Sequence, residues 1–460
     1  MISHLFSTGY TAYGELLHRL GNAVVDAPRI FDEAQMKRVF EDSLLPFCRE
    51  RTLIHTCKLV WSKYESQEGT SKAVYHVEFA GPTTGRHFRR QLYLVIPGGN
   101  RLTPGMPETG ERAEGESAED NDLRISYLYL PHLEMLIQVF PTDRKLPQLP
   151  VIVNPTAIAP YLQTCTNLKK PEVPRVTVLK YKPEKRCVVR YDFSDQTEQS
   201  ASMIGKTNYN SRGRDVFHIM QFLRRSGLPV PEPLAYISDL KLLLIEALHG
   251  RELGSFVTEP DFPVHIRGAA SAVAGLHMIP VDRTTVHRAS LDTVSLGEEA
   301  DSFARHVERF RRECPELKQI DRLASTILRK LQDCGGDRLT FVHGELDPSQ
   351  LFVSDSRMWV LDFDRFKISH PAIDIGHFLA YLNRASLKLY GDPHRLDAMG
   401  NLFLAVYRSQ CRDDLQTPIL LCQAMEFVKM SFLQFRRQNA NWKSRVASLW
   451  EMAEKTLASV

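Results

Sequence analysis

At 460 residues the chain has the length of about three domains and enough material to bury a sizeable core. Its 43% hydrophobic and 25% charged content is that of an ordinary globular protein, neither disordered nor collagen-like. Lys and Arg number 58 against 55 Asp and Glu, and a net charge of +3 gives no electrostatic case for nucleic acid.

The short basic runs Arg86-His-Phe-Arg-Arg90 and Arg309-Phe-Arg-Arg312 read as solvated faces. The eight cysteines are scattered without a Cys-x-x-Cys, which predicts reduced thiols and a cytoplasmic protein. The first twenty residues contain Glu15 and Arg19 and no long apolar core, so no signal peptide is expected. No run reaches the roughly 20 apolar residues of a membrane helix, so no membrane partner is expected.

Residues 1–56 read as a helical segment, with Leu16-Leu17, Leu20 and Val24-Val25, then Phe40, Leu44-Leu45 and Phe47, near helical spacing. From Lys58 the pattern turns to strands over 58–64, 73–79 and 91–96. The stretch from Pro97 to Asp122 is rich in Gly, Pro and Glu and lacks aromatic and β-branched aliphatic residues. That composition predicts a mobile acidic loop. Two further strands, 124–130 and 134–140, complete a β-rich subdomain over 57–145. A proline-punctuated connector is predicted from Phe140 through Pro160.

The pattern then repeats. Val176–Lys182 and Cys187–Phe193 echo the first two strands, matching Lys63-Tyr64 with Lys180-Tyr181 and Phe79 with Phe193. Leu234–Ile245 follows Leu128–Val139 without a gap, pairing Tyr129 with Tyr236, Leu133 with Leu240 and Leu136 with Leu243. An internal duplication of a β-rich unit is the expectation. In the second copy, Met203-Ile-Gly-Lys206 ends a strand, and 215–225 is a helix with Val216, Ile219 and Leu223 inward. The remainder is helical, with stripes at Ile266, Ala269, Val273 and Leu276, at Phe303, Val307 and Phe310, and at Leu323, Ile327 and Leu331.

Within that helical part lies Leu339-Thr-Phe-Val-His-Gly-Glu-Leu-Asp-Pro-Ser-Gln-Leu-Phe-Val353. Leu351–Val353 and Met358–Leu361 are apolar runs separated by 354–357, the pattern of a hairpin. A turn centred between Asp355 and Ser356 sets Gln350 opposite Leu361 and Ser349 opposite Asp362. Opposed residues sit roughly 5 Å apart. Gln350 and Asp362 then share one end of the hairpin, with Glu345 and Asp347 on the loop leading in. Oxygen donors in that number suit Mg²⁺, which keeps waters and phosphate oxygens in its shell.

The stretch resembles the aminoglycoside phosphotransferase and choline kinase family of small-molecule kinases with a protein-kinase-like fold. The signature is carried by His343-Gly-Glu345-Leu-Asp-Pro-Ser-Gln350, Leu361-Asp-Phe-Asp364 and His370-Pro-Ala-Ile-Asp374-Ile375. Two positions depart: Glu345 stands for the family's aspartate and Gln350 for its asparagine, each one methylene longer.

The resemblance implies an α+β bilobal protein-kinase-like fold. The divisions would be a helical segment (1–56), a cap subdomain (57–145) that looks like a degenerate copy of the N-lobe and resembles the cap of maltokinase, an N-lobe (146–248), and a helical C-lobe (249–460). It implies an ATP- and Mg²⁺-dependent phosphotransferase acting on a hydroxyl of a small molecule such as a sugar or aminoglycoside. Glu345 would accept or orient the acceptor proton, with Asp347 as an alternative base. Gln350 and Asp362 would hold magnesium, and Lys206 would clamp the nucleotide phosphates, with Asp215 the only acid on the next helix. Glu246 and Leu248 would form the hinge whose backbone bonds adenine. His343 and Asp374 would brace the loop, and Asp364 would touch metal or pair with Arg365. The turn Lys182–Arg186 has no glycine; its basic residues either meet phosphate or form a solvated hairpin tip. A non-catalytic binding module and nucleotidyl transfer are the alternatives to phosphoryl transfer.

Overall fold

A computed structural model describes residues 30, 32–65, 70–82, 85–97, 109–111, 122–165, 173–193, 202–281, 291–313, 318–334, 338–411, 415–437 and 441–460. The expected helices before residue 30 and most of the expected acidic loop lie outside these. The chain forms two compact units. One comprises Met1–Pro150, Phe310–Glu316 and Phe432–Ala447; the other comprises Val151–Arg309, Leu317–Ser431 and Ser448–Val460.

The first unit is built on an antiparallel sheet. Helix α1 (Glu33–Leu44) starts at Asp32, whose carboxylate accepts the Gln35 amide at 2.9 Å, a standard N-cap. It buries Met36, Phe40 and Leu44, four residues apart on one face. The strands are β1 (Leu53–Glu65), β2 (Thr70–Ala80), β3 (His87–Ile96), β4 (Thr109–Glu111), β5 (Ile125–Leu130) and β6 (Met135–Val139). Their order across the sheet is β1-β2-β3-β6-β5-β4. Phe40 meets Tyr75 edge-on at 5.5 Å, within a core that includes Val77, Leu92, Leu94 and Ile137. Side chains alternate faces along a strand, so Val74, Tyr93 and Val95 bury on the opposite side with Trp61. Within the stretch expected to be a loop, β4 pairs with β5.

After a single helical turn at Leu149–Ile152, the second unit carries helix α2 (Pro155–Cys165), whose first half lies in the expected connector. The proline-based reading missed it because Pro155 takes the first helical position, where its missing N–H is harmless. Asn154 caps the helix by accepting the Thr156 and Ala157 amides, each at 3.0 Å. A five-stranded antiparallel sheet follows: β7 (Arg175–Lys182), β8 (Arg186–Asp192), β9 (Ser202–Asn208), β10 (Pro233–Ile237) and β11 (Leu242–Glu246). Between β9 and β10 runs α3 (Arg212–Arg225), burying Val216, Ile219, Met220 and Leu223.

The two sheets share strand order, β7-β8-β9-β11-β10 repeating β1-β2-β3-β6-β5. They also share register. One cross-strand row runs Lys63, Lys72, Val95, Leu136, Tyr129; its counterpart runs Lys180, Val188, Lys206, Leu243, Tyr236. The turn between the last two strands has a left-handed residue in each, Glu134 at φ 49° and Lys241 at φ 45°. In this register Tyr75 corresponds to Tyr191. Both are fully buried, and each donates its hydroxyl to a backbone carbonyl ahead of its sheet, Ile30 at 2.8 Å and Ile152 at 3.0 Å. The match of Phe79 with Phe193 is therefore two residues out. Side chains repeat every second residue along a strand, so the slip kept the faces and escaped notice.

The rest is helical: α4 (Phe262–His277), α5 (Leu296–Glu313), α6 (Lys318–Asp333), α7 (Ala372–Tyr390), α8 (Asp397–Gln410), α9 (Gln416–Arg437) and α10 (Trp442–Ala458). Among them lie the short ladders β12 (Arg251–Glu252) with β14 (Leu351–Ser354) and β15 (Arg357–Val360), and β13 (Thr340–Val342) with β16 (Lys367–Ser369). No helix among the described residues is long and apolar enough to cross a membrane.

Candidate active site

The site is assembled by the β14–β15 hairpin. Asp355 and Ser356 take φ of 49° and 57°, the twist of a tight two-residue turn. Leu351 then faces Val360, and the Leu361 amide donates to the Gln350 carbonyl at 2.8 Å. Gln350 and Asp362 thereby reach the same end of the hairpin. Asp362 itself is left-handed, at φ 65° and ψ 60°. A non-glycine residue held there costs of order 1–3 kcal/mol and persists where the surroundings enforce it.

Two cations from the sheet converge on this end. Lys206, on β9, pairs with the Asp362 carboxylate and with Asp364 Oδ1 at 2.7 Å. Arg186, the first residue of β8, places Nη1 3.2 Å from Asp362 Oδ2 and 3.0 Å from Asp364 Oδ2. Burial favours the neutral form of Asp362, but Lys206 and Arg186 outweigh it and hold its carboxyl well below the usual carboxylate range. Asp364 thus pairs with Lys206 and Arg186, while Arg365 sits 3.3 Å from Glu345. Arg212, at the start of α3, donates to the carbonyls of Asp364 at 3.2 Å and Phe366 at 3.1 Å, tying the helix to the turn after Asp362. Asp215 pairs with Arg212 at 3.5 Å.

The loop after β13 is held from beneath. Asp374, wholly buried in the first turn of α7, accepts the His343 amide at 2.7 Å and the Gly344 amide at 2.8 Å. His277 Nε2 lies 3.1 Å from the same carboxylate, and His277 Nδ1 lies 2.9 Å from the Tyr407 hydroxyl. Burial raises the Asp374 pKa, but the His277 and His343 contacts bring it below its ordinary value. His343 Nε2 donates to the Leu361 carbonyl at 2.7 Å, fastening the loop to the residue before Asp362. Gly344 has φ +84°, and a Cβ there would stand 2.3 Å from the Arg365 carbonyl oxygen, so only glycine fits.

Glu345 is exposed beside Arg365. Asp347 caps the short turn Pro348–Gln350 by accepting the Ser349 amide at 2.6 Å. Glu246 closes the end of β11 by accepting the Glu232 amide at 3.0 Å; Leu248 follows two residues on, half-buried. Lys206, Asp362 and Asp364 are thus brought together at the hairpin's end, with Gln350 beside them. Glu246 ends β11, the strand beside the one that carries Lys206, and Leu248 lies just beyond it. Arg212 and His277 escaped the sequence reading, because nothing in chain spacing links either to its partners.

Gln350, Asp362 and Asp364 offer hard oxygen donors. Among the described residues no group of three or more His, Cys, Asp or Glu could hold a metal alone. Mg²⁺ commonly takes one or two carboxylates and completes its shell with water and phosphate oxygens. These oxygen donors fit a magnesium ion that draws the rest of its shell from outside the protein.

Residues 203–397 match the family model described as the phosphotransferase enzyme family, a span running from β9 to the start of α8. That span holds every residue of the signature. A putative aminoglycoside phosphotransferase from Ralstonia eutropha JMP134 is similar at 13% identity and TM-score 0.49, over 65% of this chain and 98% of that one. A choline/ethanolamine kinase family protein from Mesorhizobium loti is similar at 12% identity and TM-score 0.46, over 65% and 92%. A choline kinase from Cryptosporidium parvum Iowa II is similar at 12% identity and TM-score 0.46, over 62% and 89%. No curated protein matches by sequence.

Proposed function

We propose that this chain, whose residues 203–397 match the phosphotransferase enzyme family, transfers the terminal phosphoryl group of ATP to a hydroxyl of a small molecule. The observation that carries this reading is the convergence of Lys206 and Arg186 on Asp362 and Asp364 beside Gln350. Phosphoryl transfer passes through a loose transition state, so the protein's work is positioning and charge neutralisation.

Gln350 and Asp362 would hold magnesium, which when bound neutralises charge developing on the phosphates. Lys206 would bind the phosphates from the sheet side. Glu345 would orient the acceptor hydroxyl and take its proton as the new P–O bond forms and the bond to the β-phosphate breaks. Asp347 is the alternative base. The backbone about Glu246 and Leu248 would receive the adenine edge. His343 and Asp374 hold the loop and leave the chemistry to its neighbours.

Thermal shift with ATP in the presence and absence of Mg²⁺ tests the nucleotide site, and mass analysis of the acceptor tests the transfer. A gain of about 80 Da is a phosphoryl group, and about 329 Da would mean nucleotidyl transfer instead. The exposed pairing of Glu345 with Arg365 favours a second reading, a site that binds nucleotide without transfer. Nucleotide binding with no product from any hydroxylated acceptor would select it. The first sheet, sharing order and register with the second, is best explained as a degenerate N-lobe copy. Val95 stands there in the place of Lys206, so that copy would not bind phosphate.

A further inference from the structure

Arg186 opens β8 immediately after the glycine-free turn 183–185. Its side chain is only 18% exposed, although it leaves the tip of a hairpin. One nitrogen, Nη1, makes all its contacts with Asp362 and Asp364. The guanidinium has five N–H donors in a fixed fork, and Nε is buried with no hydrogen-bond partner. A buried, unanswered donor forfeits its hydration with nothing in return, which calls for an explanation. The group is therefore held in a place where its fork is largely unused, against two carboxylates for which Lys206 alone supplies one positive charge.

We infer that Arg186 is an exchangeable cation of the nucleotide site: without ligand it neutralises Asp362 and Asp364, and with nucleotide bound it turns its fork to the phosphates. This rests on the nucleotide-dependent reading above. It gives the glycine-free turn a job, since a side-chain fork replaces the backbone N–H groups that a glycine-rich turn would offer. Guanidinium and phosphate match in geometry, and bidentate pairs of this kind are the strong ones.

The exchange also orders binding. Mg²⁺ alone meets two carboxylates already committed to Arg186 and Lys206, so it must displace cations that have nowhere else to go. Nucleotide alone can recruit those cations only by uncovering two carboxylates close to its own phosphates. Together, each ligand supplies the partner the other sets free. Metal and nucleotide should therefore bind with positive coupling, each tightening the other equally.

Isothermal titration of the whole chain tests this with three probes: Mg²⁺ alone, ATP with EDTA, and ATP with Mg²⁺. The proteins are wild type, Arg186→Met and Arg186→Lys, with circular dichroism and melting temperature as checks on folding. For Arg186→Met, Mg²⁺ alone should bind about tenfold tighter and ATP with Mg²⁺ about tenfold or more weaker, so the coupling shrinks. Arg186→Lys should recover part of the coupling, since it restores the charge but not the fork. If Arg186→Met folds and leaves both constants and the coupling at wild-type values, the exchange is overturned while the nucleotide reading stands. Wild type that binds no nucleotide under any of these conditions overturns both. Should Arg186→Met fail to fold, Arg186→Lys decides: unchanged affinity for ATP with Mg²⁺ overturns the fork's role, and a loss supports it.

Discussion

Asp362 combines a left-handed backbone, a lowered pKa and two cationic partners. Asp362→Asn removes the charge and almost no volume. Turnover should fall by about 10²–10³-fold, as when a transition-state electrostatic partner is lost, with circular dichroism unchanged. Retained turnover at saturating Mg²⁺ would remove Asp362 from the metal site. Glu345 is the residue at which transfer and mere binding part. Glu345→Gln should lose about 10²–10⁴ in rate with ATP affinity little changed, because a proton acceptor must lie within hydrogen-bond reach of the hydroxyl. Glu345→Asp retracts the carboxylate by one bond and should also lose rate in single-turnover measurements. A gain on restoring aspartate would rule out a site fitted to glutamate. On α7, half-buried His377 lies 3.5 Å from Glu426 and stacks on Tyr381 at 4.6 Å. Burial lowers the His377 pKa, but Glu426 outweighs it and raises the net value. A raised folded-state pKa means stabilisation fully present below the unfolded value of about 6.5 and lost as pH rises through the folded one. Urea midpoints should therefore fall between pH 6 and pH 9 more steeply in wild type than in Glu426→Gln. That variant should itself lose about 3–5 kcal/mol at pH 6. Equal slopes would show that the pair is not ionised.

Among the elements, the loop 343–345 owes its position to α7 rather than to itself. Asp374, in the first turn of α7, satisfies two successive backbone amides that would otherwise be buried without partners. Asp374→Asn presents an amide donor to one of them, so it should cost about 1–3 kcal/mol in denaturant unfolding and displace the loop. The displacement should appear as a fall in turnover exceeding any fall in ATP affinity; full activity at wild-type stability would deny the brace. Helix α7 is held as closely on another side. A Cβ on Gly376 would stand 2.6 Å from Cys422 Cβ and 2.7 Å from the Gln423 amide nitrogen, so α7 meets α9 backbone to backbone. Gly376→Ala should force the two helices apart and lower the melting temperature, despite alanine's better helix propensity. A rise in melting temperature would mean that the contact yields.

For the whole molecule, two sheets that share strand order and register but differ in their residues predict a stoichiometry. Lys206 has Val95 as its counterpart, and α3 has no helical counterpart among the described residues between β3 and β5, where β4 stands. One nucleotide per chain should therefore bind, and Lys206→Met should abolish that binding outright in titration calorimetry. A residual second site in that variant would mean that the first sheet retains a phosphate contact of its own.

The hairpin, its turn at Asp355-Ser356 and the shared end of Gln350 and Asp362 were legible in the sequence, because short-range pairing fixes them with no help from the rest of the chain. So were the helical stripes of α3 and α4 and the matches of Tyr129 with Tyr236 and Leu136 with Leu243, which occupy equivalent register positions in the two sheets. Helix α2 was misread as connector because proline density was weighed without its position in the first turn. The slip at Tyr75 was invisible because a two-residue shift preserves the alternation on which strand reading depends. Only the tertiary structure decided that Arg186 reaches Asp362 across 176 positions of sequence and that His277 meets Asp374 across 97. Ion pairs between residues so far apart leave no periodicity in the chain. They exist because sheet and helices fold those residues to one place, where burial makes a partner obligatory.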